Sequence, residues 1–104
     1  MKIKVTRHSK KRLRERAYMS ILTLRKIYKK NLYLTTGKEK KGYRCHDLFY
    51  STYMDQCFVA IRDERTNTII TILPLDYHEY LGWRISFEAQ QIVVNLVHEN
   101  LQCK

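Results

Sequence analysis

The sequence predicts an α+β domain of strand, helix, helix, three strands and helix (β-α-α-β-β-β-α), a small antiparallel sheet with its helices packed on one side. Three observations carry this. Apolar residues recur at a helical period in the first third of the chain and again from residue 86, while strand-like runs fill residues 43 to 73. The composition, 44% apolar with three glycines and one proline in 104 residues, is that of a folded globule. A chain of this length can bury one modest core, so residues 1–104 are read as a single domain.

Taken in order, Lys2-Ile3-Lys4-Val5-Thr6 alternates polar and apolar side chains, as a short half-buried strand does. His8 to Arg16 are good helix formers, with Thr6 or Ser9 available as the cap. After a break at Ala17-Tyr18-Met19, Ser20 is suited to cap a second helix whose apolar stripe is Ile21, Leu24, Tyr28 and Leu32. Gly37 and Gly42 bound a lysine-rich stretch from Thr35 that reads as a mobile basic loop. Three antiparallel strands follow at Tyr43–Tyr53, Gln56–Arg62 and Thr68–Leu73, the last closed by Pro74. Ala89, Ile92, Val93, Leu96 and Val97 share one face of a final helix expected over about 86–101.

Charge is distributed unevenly. Residues 1–46 hold sixteen Lys and Arg against Glu15 and Glu39, a net of +14, and the remainder carries −4. Such self-repulsion concentrated in one half points to a polyanion, RNA or DNA, or to an acidic protein partner. The alternative is a merely solubilising surface. The candidate nucleic-acid contacts are Lys10, Lys11, Arg12, Arg14 and Arg16 on the first helix, and Arg25, Lys26, Lys29 and Lys30 on the second. Lys38, Lys40, Lys41 and Arg44 follow in the loop and the strand after it.

At 100° per residue, His8, Arg12 and Arg16 fall within an arc of about 80°, while Leu13 and Ala17 point away. A histidine in a helix's first turn, amid cations, is expected to stay neutral and so to accept a proton. Arginines one and two turns on would hold a phosphate. This is the layout of a metal-independent ribonuclease: a base for the ribose hydroxyl, cations for the phosphorane and an acid for the leaving oxygen. His78, with Asp76 and Glu79 nearby, is the candidate acid; the plainer reading is a helical turn that docks Trp83 on the core. Eight tyrosines accompany the basic residues, and those near the strands, Tyr43, Tyr50 and Tyr53, would either stack bases or fill the core.

The strand followed by His8-x-x-x-Arg12-x-x-Glu15-Arg16, Ser20 opening a second helix, and a meander ending Thr68-Ile69-Ile70-Thr71-Ile72-Leu73 resembles the RelE, barnase and colicin type of small ribonuclease. The likeness is strongest to phage- and toxin-associated members with a His-x-x-x-Arg first helix, and it covers about residues 3–75. It implies helices packed across an antiparallel sheet and an RNA cradle formed by the first helix and the open sheet face. It also places His8 and Arg12 as the helical catalytic pair, with Thr71 as the polar residue of the last strand; Thr71 also reads as an ordinary β-branched strand residue. Ala17 stands where many members have glycine, and the final helix and residues 76–80 lie outside the shared core.

Cys45, Cys57 and Cys103 show no CxxC spacing and read as reduced thiols. Cys45-His46 points to opposite faces of a strand, and no second pair stands at zinc spacing, so neither metal nor cofactor is expected. Glycine-rich phosphate loops and nucleophile elbows are absent. The charged start Met1–Lys11 does not fit a signal peptide, and the longest apolar run, Ile69–Leu73, is too short to span a membrane, so a cytoplasmic protein is expected. Three functions remain open: a toxin-like or phage-associated ribonuclease, a non-catalytic nucleic-acid-binding module, and a factor whose basic half docks an acidic partner such as an antitoxin.

Overall fold

The computed structural model describes residues 1–102, and Cys103 lies outside them. The elements are β1 (Lys4–Val5), α1 (Arg7–Ala17), α2 (Ile21–Lys29), β2 (Tyr33–Lys38), β3 (Arg44–Ser51), β4 (Gln56–Asp63), β5 (Thr68–Pro74), α3 (Leu75–Tyr80) and α4 (Phe87–Gln102). The strands form one sheet in the order β1-β5-β4-β3-β2. The α+β class is as expected, but β2 and α3 are added to the expected order and the sheet departs from expectation in two further ways. The sheet is mixed, because β1 runs parallel to β5, and the helices lie on both of its faces.

The second point follows from strand alternation. On β3, His46, Leu48 and Tyr50 point one way, and Cys45, Asp47, Phe49 and Ser51 the other. Asp47 accepts a hydrogen bond from Tyr28 of α2, and Ser51 donates one to the carbonyl of Ala17 at the end of α1. The opposite face meets α3 through His46–His78 and α4 through the edge-on contact of Tyr50 with His98. Leu13, Ala17, Leu24 and Tyr28 therefore fill the core on one side, and Val93 and Val97 close it on the other.

Local chemistry sets the helix ends. Thr6 caps α1 by accepting from the Ser9 amide at 3.0 Å, and Tyr18 leaves the helix in the left-handed region at φ 48°. Ser20 caps α2 through the Thr23 amide. The helix stops at Lys29, so Leu32 follows it rather than extending its stripe. The stretch expected to begin a basic loop at Thr35 is instead the body of β2, paired with β3 from Tyr33↔Phe49 to Lys38↔Cys45. Tyr-Leu-Thr-Thr is β-branched and aromatic enough to pair once an edge is offered, and only the turn at 39–42 remains. The three predicted meander strands stand where the alternation put them.

A buried polar cluster ties β2, β3 and β4 to α2. Asp47, wholly buried, accepts from Arg62 Nε at 2.6 Å, from the Tyr28 hydroxyl at 2.7 Å and from Thr35 Oγ1 at 2.7 Å. Arg62 also donates to Asn67 in the β4–β5 turn. Burial and the neighbouring carboxylate push the Tyr28 hydroxyl well above its ordinary pKa, so it remains a donor. No helix among the described residues is long and apolar enough to cross a membrane.

Candidate functional site

Because β1 pairs only with Thr68 and Ile69, the edge of β5 beyond them is left to α1. Ser9 donates to the Ile69 carbonyl at 2.6 Å and Arg16 to the Ile72 carbonyl at 2.6 Å, pinning the helix along that edge. Ser9, Leu13 and Ala17 are consequently buried, while His8, Arg12 and Arg16, one turn apart, turn round the edge toward the α3 side of the sheet. They line an open cleft of about 490 Å³.

The sheet supplies the cleft floor with His46, Ile61, Thr71 and Leu73, which alternation and register place on one face. Arg44 and Glu39 stand at its far end. Tyr77, Leu81 and Trp83, from α3 and the chain after it, form a further wall of the cleft. His8 Nε2 lies 3.3 Å from Thr71 Oγ1, within hydrogen-bonding reach. Three of the four residues expected to carry chemistry, His8, Arg12 and Thr71, thus meet in one place.

The fourth does not face the cleft. His78 is 1% exposed, and its Nε2 lies 2.7 Å from His46 Nδ1. Burial, with the second imidazole beside it, pushes its pKa down to about 4, so it is neutral near pH 7. Neither neighbouring carboxylate that the sequence offered as its partner takes that role: Asp76 accepts from the Tyr77 amide, and the imidazole partner comes from β3. His78 backs the cleft instead of touching its contents. The plainer expectation for this segment, a helical turn holding Trp83, matches the geometry, since the indole stacks on the His78 ring with centroids 5.9 Å apart.

His46, weighed in the sequence only as a metal ligand, is the imidazole of the sheet floor. Its Nε2 faces Glu39 Oε1 at 3.8 Å, and its ring lies 4.1 Å from that of Trp83. Burial lowers its pKa, with Glu39 and Asp47 acting against that shift. His46 Nε2 and His78 Nδ1 are both buried without a hydrogen-bond partner. Strand alternation puts Arg44 and His46, two residues apart, on one face, and that is the sequence signal for both. Nothing in the sequence pointed to Glu39, Tyr77 or Leu81.

The basic residues divide among several surfaces. Arg12, Arg16 and Arg44 line the cleft. Lys11 and Arg12 share Glu15, at 3.8 and 3.0 Å, and Lys38 pairs with Glu64 at 2.9 Å. Lys10 and Arg14 are exposed on α1, and Lys40 and Lys41 in the turn after β2. The α2 cations lie on the other side of the sheet: Arg25 and Lys29 border a hollow with Met1 and Lys2, and Lys26 and Lys30 one with Thr23 and Tyr53. Of the strand-associated tyrosines, Tyr50 is buried, Tyr43 is covered by the Arg65 guanidinium at 4.4 Å, and Tyr53 is exposed away from the cleft. Among the described residues no three His, Cys, Asp or Glu side chains converge as a metal site. No family model matches the chain, and neither the curated proteins nor the solved structures offer a significant match.

Proposed function

We propose that the chain is an RNA-binding domain of the toxin-like or phage-associated kind it resembles, and that its cleft cleaves RNA by a metal-independent route. The observation that carries this is the position of His8 Nε2, 3.3 Å from Thr71 Oγ1 in a cleft shared with Arg12 and Arg16. An RNA strand laid along α1 brings a phosphodiester to the two arginines, which neutralise its oxygens. His8, exposed and hydrogen-bonded by a neutral group, takes the proton of the ribose 2′-hydroxyl. The 2′-oxygen attacks phosphorus, the bond to the 5′-oxygen breaks with that oxygen taking its proton from solvent water in the open cleft, since His78 is buried, and the product end is a 2′,3′-cyclic phosphate. Thr71 orients His8 or donates to a phosphate oxygen.

The test is cleavage of a single-stranded RNA by the purified chain in EDTA, with the ends identified by mass. Cyclic phosphate ends, loss of cleavage in His8→Ala and retained RNA binding by that variant are the expected results. Equal cleavage by His8→Ala would overturn the role of His8. A second reading, an RNA-binding module without turnover, has its own support. The imidazole expected to serve as acid, His78, is buried and neutral, and His46 presents its free nitrogen to Glu39. Salt-sensitive binding with no cleavage by the wild type would select it.

A further inference from the structure

The cleft has two unlike walls. Arg12 and Arg16 of α1 supply the one; Tyr77, Leu81 and Trp83, from α3 and the chain after it, supply the other. Tyr77 and Leu81 are large side chains left about half exposed, at 48% and 50%, in the lining of this cleft. Trp83 is held from behind. Its indole lies against the His46 and His78 rings and over Gly37, where an added Cβ would come within 3.0 Å of Trp83 Cζ3. Gly37 falls at the register shift of β2 opposite His46, so the backbone opens where the indole needs room. The His46–His78 pair then acquires a reason: two neutral rings form a rigid backing for the indole.

We infer that Tyr77, Leu81 and Trp83 form a subsite for one unpaired nucleobase, placed so that the adjoining phosphodiester lies among Arg12, Arg16 and Arg44. This rests on the reading of the cleft as an RNA site and names the form of RNA it takes. A flat ring with apolar faces and an anionic linker matches an aromatic wall that shares one cleft with guanidinium groups, and Arg44 has no ion-pair partner among the described residues. A base within a duplex has both faces covered by its neighbours and cannot offer one to the wall, so the ligand is single-stranded. An acidic protein segment would use the cations but leave the aromatic wall uncovered.

Trp83 is the sole tryptophan, so its emission reports on the wall directly. The full chain is titrated with a 2′-O-methyl octanucleotide, which cannot form the cyclic phosphate, and with the same backbone made abasic. Binding is followed by anisotropy of an end label, and Trp83 emission is recorded with unlabelled strands. The expected result is strong quenching by the normal oligonucleotide, little by the abasic one, and affinity for the abasic strand about tenfold weaker. Trp83→Leu and, independently, the exposed Tyr77→Ala should weaken only the normal strand by a similar factor, with circular dichroism confirming the fold. Binding without quenching, and equal affinity for both strands, would overturn the subsite while leaving an RNA-binding cleft. Equal quenching by oligoglutamate would overturn it in favour of a protein ligand. Absence of any binding at moderate salt would overturn the RNA reading and the subsite together.

Discussion

Acidification from pH 7 to pH 5 should weaken the fold through the paired imidazoles, and His78→Gln should remove much of that effect. In the folded chain His78 is buried against His46 and the Trp83 ring; burial, and then the neighbouring imidazole, lower its pKa from the ordinary 6.5 to about 4. The unfolded chain therefore takes up a proton that the folded chain refuses. Stability is complete above the unfolded value near 6.5 and is lost as the pH falls toward 4. For one site with these two values, linkage gives a loss of about 2 kcal/mol by pH 5 and about 3 kcal/mol by pH 4, with a slope no steeper than about 1.4 kcal/mol per pH unit. His46, also lowered by burial, adds to the loss in the same direction, while Glu39, 3.8 Å from its Nε2, limits that addition.

Gln places an amide where Nε2 of His78 stands and does not titrate, so it can keep a hydrogen bond to His46 Nδ1. It gives up ring packing on Trp83, and the variant should be less stable at pH 7 by about 1 to 2 kcal/mol. Urea unfolding of both proteins, followed by Trp83 emission at pH 7.5, 6.5, 5.5 and 5.0, gives the difference curve. Asp63 and Glu64, held low by Arg65 and Lys38, titrate alike in both proteins and cancel. The stability difference should move by about 2 kcal/mol in the variant's favour between pH 7 and pH 5, closing the gap or reversing it. Parallel curves, the gap changing by less than about 0.5 kcal/mol where linkage requires about 2, would refute the account of a buried neutral pair.

Four further outcomes follow from the same geometry. Asp47→Ala leaves the Arg62 guanidinium buried without its carboxylate and should cost about 3 to 5 kcal/mol in urea unfolding, whereas Thr35→Val, which removes one of several donors, should cost about 1 kcal/mol. Ser9→Ala removes the bond to the Ile69 carbonyl and should cost about 1 to 2 kcal/mol, with amide exchange rising first along α1 and the β5 edge. Arg12→Ala and Arg44→Ala should each lower the slope of log affinity for RNA against log salt by about 0.7 to 1, while the exposed Arg14→Ala, outside the cleft, should leave it nearly unchanged. Gly37→Ala should displace the Trp83 indole, seen as a shift in its emission, and weaken oligonucleotide binding while leaving the far-UV spectrum intact.

Much of the fold was legible because its determinants are local. Thr6 and Ser20 are three residues from the amides they cap, and the alternation in residues 44–73 already stated which side chains share a face. The i, i+4 spacing of His8, Arg12 and Arg16 was readable for the same reason, since one helix carries all three. The unread features depend on pairing between distant segments. Tyr33–Lys38 becomes a strand because β3 offers it an edge, and the lysines and glycines around it masked the Tyr-Leu-Thr-Thr run. Asp47 and Arg62 are fifteen residues apart and meet because their strands pair in one register. His78 looked accessible because its sequence neighbours are acidic, yet the helix turns those carboxylates outward and the ring inward, where only the sheet could supply His46. The net charge misled in a related way: Glu15 and Glu64 each engage cations that the total counted as free, and α2 directs its own to the other side of the sheet. Charge by halves identified a basic half of the chain; which arginines line the cleft, and that aromatic side chains line it with them, depended on α3 returning over the sheet after β5.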